Sequence, residues 1–250
     1  MKKISLHNII SLFSKVFICL YFAISLFLLH NLYLLGLLNN LKSDTALEVM
    51  SNYHKEIKSI VEEKKDIVNQ LIQTNVVISN TSNYSTSSGV ILHIDNNYYV
   101  LSASHILTKE TDKVFVISND VPYLLSFVKQ DKKYDLSLFK FVLKPESLTP
   151  TKLALHEPNV GDPIISVGNP DGMEDAVTRG HIIKKTKDTY FIDALIYFGS
   201  SGGGIFNKNG ELVGINVAIT SKEKNNAPFF MFFGESVKLE HIKEFLKDVK

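Results

Sequence analysis

From Asn75 onward the chain is cut into short β-rich runs, and nothing else in the sequence limits its fold as much. One set comprises residues 76–79, 89–94, 98–102, 113–118, 123–129 and 136–142. A second set, beyond Pro150, comprises residues 163–167, 180–185, 189–192, 203–206, 212–219 and 229–232. Turn signals such as Asp95-Asn96-Asn97 and Ser118-Asn119-Asp120 separate the runs. Many short strands spaced by turns predict a sandwich or a barrel. The charged stretch 236–249 predicts a closing helix. With Cys19 as the single cysteine, no intrachain disulfide can form, so packing alone must hold the domain together.

The sequence before Asn75 has a different texture. Residues 16–38, from Val16 to Leu38, form an apolar run long enough to cross a bilayer as a helix. A cleavable signal peptide is the alternative, but Asn39-Asn40-Leu41-Lys42 follows without an A-x-A pattern, which favours an uncleaved anchor. Lys2, Lys3 and Lys15 precede the run, so the positive-inside rule predicts a cytoplasmic N-terminus and an exported remainder.

Residues 43–73 contain no Gly or Pro, and Met50, Tyr53, Ile57, Ile60, Ile67 and Leu71 recur at steps that describe an amphipathic helix, with Lys64 interrupting the series. Two readings stand side by side: a coiled-coil stalk that could join copies of the chain, or a helix packed on its own domain. The expected layout is 1–40 tip and anchor, 41–73 helical stalk, and 74–250 the β domain.

Gly199-Ser200-Ser201-Gly202-Gly203-Gly204 is the segment richest in chemical promise. A serine among glycines can sit on a tight turn with its hydroxyl exposed, and bare backbone lets N–H groups converge on one point. Acyl transfer needs that combination of a nucleophile and main-chain donors. A serine hydroxyl also needs a base. His105 ends the run Tyr99-Val100-Leu101-Ser102-Ala103-Ser104, and Asp135 stands just before Leu136-Ser137-Leu138. Each alone has an ordinary structural reading. In the order His, Asp, Ser they make a catalytic set.

These segments resemble those of trypsin-like serine peptidases. Ser102-Ala103-Ser104-His105 is similar to the T-A-x-H motif of that family, and Asp135-Leu136-Ser137-Leu138 to the motif around its aspartate. Asp193-Ala194-Leu195-Ile196-Tyr197-Phe198-Gly199-Ser200-Ser201-Gly202-Gly203 resembles the nucleophile segment of the bacterial HtrA/Deg branch. Gly161-Asp162, Val167-Gly168-Asn169-Pro170-Asp171-Gly172 and Val213-Gly214-Ile215-Asn216 resemble further segments of that branch.

The resemblance implies an all-β fold of two six-stranded antiparallel barrels of the chymotrypsin kind, about 74–148 and 151–237, with the site between them. It implies that Ser201 is the nucleophile, His105 the base and Asp135 its partner. The backbone amides of Gly199 and Ser201, with that of Ser200 nearby, would form the oxyanion hole. Leu195, six residues before the nucleophile, would set the base of the specificity pocket, and Ile215, Asn216 and Val217 would line the substrate cleft. Ser200 is the competing serine. Ser104 and Gly204 depart from the commoner family residues, and no PDZ domain is expected before Lys250.

The reaction implied is peptide-bond hydrolysis without a cofactor, acting on exported or unfolded polypeptides from the outer side of a bacterial inner membrane. The alternative is a weak or inactive domain that binds polypeptides by strand addition. Other chemistries find no support. No HExxH or paired-cysteine pattern supplies a metal site, and no P-loop or G-x-G-x-x-G a nucleotide site. Lys and Arg total 27 against 26 Asp and Glu, which argues against nucleic acid as a partner.

Overall fold

The computed structural model describes residues 43–224 and 227–249. The expected tip and anchor, 1–40, lie outside the described residues. Among the described residues no helix is long and apolar enough to cross a membrane.

Helix α1 spans Ser43–Thr74. The chain divides into two compact units, Met1–Glu62 and Glu63–Lys250. In the first, Tyr53 and Ile57 of α1 are exposed. The second unit begins eleven residues before the expected boundary, because the last turns of α1 bury Leu71 completely and pack Ile67 against the same apolar cluster. Those turns therefore follow the second reading of the helix, packing on their own domain.

The first barrel is built from β1 (Asn75–Asn80), β2 (Ser85–Ile94), β3 (Asn97–Ala103), β4 (Val114–Ser118), β5 (Val121–Asp131) and β6 (Leu136–Phe141). It closes in the order β1-β2-β3-β6-β5-β4. The second barrel is built from β7 (Pro163–Gly168), β8 (Ala176–Lys185), β9 (Thr189–Ile192), β10 (Gly204–Phe206), β11 (Leu212–Lys224) and β12 (Ala227–Lys238). It closes as β10-β11-β12-β9-β8-β7, and every neighbouring pair in both barrels is antiparallel. Closure leaves no open sheet edge. The last strand continues through Ser236, so the closing helix α2 starts at Leu239 and ends at Leu246.

Alternation along the strands sends apolar side chains inward. Ile78, Ile91, Val100 and Phe139 fill the first barrel. Ile164, Ile182, Tyr190 and Ile205 fill the second. A third cluster lies between them, uniting Leu101, Leu136 and Leu138 of the first barrel with Phe206, Leu212 and Ile215 of the second, and Leu71 and Ile242 of the helices. Each fully buried side chain of this size contributes roughly 1.5–3 kcal/mol by leaving water.

Leu71→Ala tests whether the end of α1 belongs to the folded unit. The expected loss is about 2–5 kcal/mol in chemical denaturation; an unchanged midpoint would mean the helix end is only an attachment.

Candidate active site

Strand register creates the first half of the site. Antiparallel pairing of β3 with β6 sets Ser102 opposite Ser137 and Ala103 opposite Leu136, so the residues just beyond, Ser104 and Asp135, meet at the barrel rim. The Ser104 N–H donates to the Asp135 carbonyl at 3.1 Å. The chain then turns through a short 3-10 segment, Ser104–Ile106, that carries His105 out of the strand. Asp135 adopts φ 55°, a left-handed conformation that aspartate tolerates better than most residues.

The Asp135 carboxylate is fully engaged. Its Oδ1 accepts the His105 N–H and the Ser104 hydroxyl, both at 2.8 Å, and its Oδ2 faces His105 Nδ1 at 2.6 Å. His105 Nε2 lies 2.9 Å from Ser201 Oγ. The three residues predicted from sequence are thus brought into one hydrogen-bonded line, two from the first barrel and one from the second. The departure at Ser104 adds a donor to the carboxylate.

Electrostatics follow from this geometry. The hydrogen bond that His105 Nδ1 donates to Asp135, helped by the carboxylate's charge, raises the His105 pKa above its ordinary 6.5 against the opposing effect of burial. Burial alone would raise the Asp135 carboxyl, but the hydrogen bonds from His105 and Ser104 outweigh it and hold it below the usual carboxylate range. The loop that leaves the 3-10 turn is tied down by buried Asp112, whose Oδ2 accepts from Thr108 N and Oγ1 at 2.8 Å each and from Asn80 Nδ2 at 3.0 Å. Asn80 Nδ2 also donates to the Ile106 carbonyl at 2.9 Å, next to His105.

The nucleophile loop joins β9 to β10. The Phe198 carbonyl accepts from the Asp171 N–H at 2.7 Å, so the trans peptide directs the Gly199 N–H to its opposite side. Among the described residues neither the Gly199 nor the Ser201 N–H has a hydrogen-bond partner. Ser200 differs: its N–H donates to the Tyr197 carbonyl at 2.9 Å, so it is not a free donor for an oxyanion. A tight turn within the loop consumes that amide, and sequence alone does not reveal it. The Ser200 side chain is buried and turned to its own loop, its Oγ accepting the Tyr197 N–H at 3.2 Å. Gly202 has φ 86°, and a Cβ there would fall 2.0 Å from Ser102 Oγ and 2.1 Å from the Ser88 carbonyl, so only glycine fits where the two barrels touch.

Beside Ser201 opens a cavity of about 570 Å³, lined by Leu195, Ile196, Tyr197, Phe198, Asn216, Val217 and Ile219 among others. Among the described residues no carboxylate lines it. Two expectations need correction. Leu195 touches the cavity but is 72% exposed, so it stands at the lip, while Ile196 behind it is buried. Ile215 does not line the cleft: it is fully buried between the barrels, paired with Gly204 and Val237, because alternation turns it away from the site. Val217 does reach the cavity. It stands where the register with β12 shifts between Asn216 and Ala218, partly buried against the apolar clusters on one side and lining the cavity on the other. Asn216 Nδ2 donates to Ser166 Oγ at 2.9 Å and its Oδ1 accepts from Ser236 Oγ at 2.8 Å, so its side chain is anchored inside the second barrel.

Ser88 was not among the expected site residues, and Asn169 stood in a family-like segment without a role. The Ser88 hydroxyl lies 2.8 Å from the Gly199 carbonyl, and its N–H lies 2.8 Å from the Ser201 carbonyl. Buried Asn169 donates through Nδ2 to the Val76 carbonyl at 2.9 Å and accepts the Asp175 N–H at 3.0 Å. A Ser-Ser-Gly run in a strand carries no distinctive signal. Gly168-Asn169-Pro170 reads as an ordinary turn.

Two closed barrels with a His-Asp-Ser line in the seam are the architecture of a chymotrypsin-like serine peptidase. The family model of the trypsin-like peptidase domain matches residues 87–215, and the chain belongs to that family. It is 33% identical over 149 residues to the periplasmic serine endoprotease DegP of Escherichia coli, covering 56% of this chain and 31% of that protein. It is 27% identical over 227 residues to a serine protease HtrA-like protein of Staphylococcus haemolyticus, covering 80% of this chain and 34% of that protein. The chain spans about a third of the length of these curated relatives. Among solved structures, the serine endoprotease from Yersinia pestis superimposes with a TM-score of 0.60 at 24% identity, over 72% of this chain and 65% of that one, a likeness of fold.

Asp135→Asn tests the electrostatic coupling. It removes the charge and alters the hydrogen bond that raise the His105 pKa, leaving the lowering effect of burial. Ring-proton NMR titration is expected to place His105 above 6.5 in the wild type and lower in the variant; an identical titration in both would refute the coupling.

Proposed function

We propose that the chain is a serine endopeptidase that cleaves exported or unfolded polypeptides through an acyl-enzyme. The observation that carries this reading is His105 spanning Asp135 Oδ2 at 2.6 Å and Ser201 Oγ at 2.9 Å, beside two unpaired backbone N–H groups. Ser201 attacks the scissile carbonyl while His105 takes its proton. Asp135 stabilises the imidazolium that forms and holds Nδ1 as the donor. The Gly199 and Ser201 amides receive the oxyanion. His105 then protonates the leaving amine, and a water activated by the same imidazole releases the acyl group.

The cavity supports a preference for a small or medium apolar residue on the acyl side of the cut. A lysine or arginine would find no counter-charge among the lining residues, and burying it unpaired is costly. An apolar side chain gains about 25 cal/mol per Å² removed from water. Cleavage sites mapped by mass spectrometry in an unfolded substrate are expected after Val, Leu, Ile or Ala; predominant cutting after Lys or Arg would defeat this assignment.

The apolar run from Val16 to Leu38 supports a single membrane anchor, with the preceding lysines on the cytoplasmic side and the peptidase unit on the periplasmic or extracellular side. The exposed Tyr53 and Ile57 stripe of α1 supports association of copies through that part of the helix.

Ser201→Ala in the full chain tests the activity directly. Fluorophosphonate labelling and peptide hydrolysis are expected to vanish, with a rate loss of several orders of magnitude and an unchanged melting curve. Retained activity in Ser201→Ala, with loss in Ser200→Ala, would transfer the nucleophile to Ser200. Absence of labelling in the wild type would leave strand addition without cleavage. Because His105 must be neutral to accept a proton and its pKa is raised, kcat/KM is expected to fall as pH drops through a value above 6.5.

A further inference from the structure

Ser88 lies on β2 of the first barrel and is fully buried, yet its hydroxyl and its N–H both bond to groups on the second barrel's side of the site. The Gly199 carbonyl can only accept, so the Ser88 hydroxyl proton points to it, at 2.8 Å. The hydroxyl oxygen in turn accepts the Asn169 N–H at 2.8 Å and Asn169 Nδ2 at 3.2 Å. The Ser88 N–H holds the Ser201 carbonyl at 2.8 Å. One residue thus grips the nucleophile loop at two points.

The location of those points matters. The Gly199–Ser200 peptide lies between the two peptides whose N–H groups, those of Gly199 and Ser201, are unpaired. Rotating it changes ψ at residue 199 and φ at residue 200, and this swings one N–H relative to the other. Gly199, at φ 93°, has no Cβ to resist such a rotation. The Ser200 N–H bond to the Tyr197 carbonyl lies within the loop and moves with it. The Ser88 hydroxyl is anchored in the opposite barrel, where Ser102 Oγ donates to the Ser88 carbonyl at 2.7 Å.

We propose that Ser88 is the positioning residue of the oxyanion site: from the first barrel it fixes the peptide planes on either side of the Ser201 amide, so that the Gly199 and Ser201 N–H groups stay convergent. The proposal rests on the peptidase reading above. Ser88 touches no reacting atom. It acts through the loop, and its contribution appears in stabilisation of the tetrahedral state more than in substrate binding.

Three measurements on the full chain separate this role from a merely structural one. Ser88→Ala removes the donor, and Ser88→Cys keeps a similar shape with a weaker donor. For Ser88→Ala, kcat is expected to fall about 10- to 100-fold with KM nearly unchanged, a smaller loss than removing an oxyanion donor itself. Ser88→Cys should fall between it and the wild type. A peptide aldehyde, which binds as a tetrahedral adduct on Ser201, should lose affinity in step with kcat/KM. Fluorophosphonate should label either variant to the wild-type endpoint, only more slowly. Loss of the labelling endpoint in proportion to kcat, with wild-type aldehyde affinity in the sites that remain, would overturn the proposal by showing that Ser88 only maintains the fold. Wild-type kcat in Ser88→Ala would also overturn it while leaving the peptidase reading intact. A wild-type chain that neither hydrolyses nor labels would remove that reading, and the Ser88 role with it.

Discussion

The apolar layer between the two barrels is the constraint on which the site depends. His105 and Asp135 belong to one barrel and Ser201 to the other, so the 2.9 Å contact between His105 and Ser201 is set by how closely the barrels dock. Leu101, Leu136 and Leu138 on one side meet Phe206, Leu212 and Ile215 on the other, with no water-filled gap implied by their near-zero exposure. Close-packed interiors resist small displacements, and catalytic groups must be held within about 0.5 Å. The full burial of Ile215 takes it out of the cleft, and in that position it helps hold the residues that do line the cleft at their distance from His105.

A second grip complements this layer, and it is polar. The nucleophile loop contains four glycines between Gly199 and Gly204, and on its own it would sample many conformations. Its peptide planes are fixed instead by hydrogen bonds from outside: Asp171 N–H on the Phe198 carbonyl, Ser88 on the carbonyls of Gly199 and Ser201, and the Asn216 carbonyl on the Gly202 N–H. Glycine permits the left-handed turns and the close approach of the barrels, and the buried donors remove the freedom that glycine brings. The two amides left unpaired are the ones such a site needs.

The extent to which this was legible in the sequence follows from the range of the interactions concerned. Strands were readable because period-two burial is local: the runs beginning at Val76 and Thr189 fall inside β1 and on β9. Gly, Asn and Asp marked the turns between them. The His105, Asp135 and Ser201 candidates were readable because each sits in a motif of several residues. The Ser200 amide was misjudged because its partner, the Tyr197 carbonyl, is chosen by the conformation of the loop rather than by residue type. Leu195 was placed too deep, since a residue count from Ser201 gives position along the chain and not depth. The roles of Ser88 and Asn169 were not readable for a related reason: their partners lie 111 and 93 residues away in Gly199 and Val76, and the side chains involved are common in turns and strand ends.

Polar groups near the reacting atoms are arranged so that negative charge is held at one end of the line and received at the other. Asp135 is ionised in place by donors from His105 and Ser104. It is only partly shielded, with 29% of its side chain exposed, so its field is not confined to the imidazole. The Ser104 hydroxyl offsets this by adding a short-range donor on Oδ1 and leaving Oδ2 to face Nδ1. That division favours the tautomer in which Nδ1 carries the proton and Nε2 has a lone pair toward Ser201. At the far end, the Gly199 and Ser201 amides, without an acceptor among the described residues, are neutral dipoles suited to a negatively charged oxygen without a counter-ion. The two ends of the line are thus fixed environments of different origin: the carboxylate end is built within the first barrel, and the amide end lies on the second barrel's loop and is held from the first by Ser88.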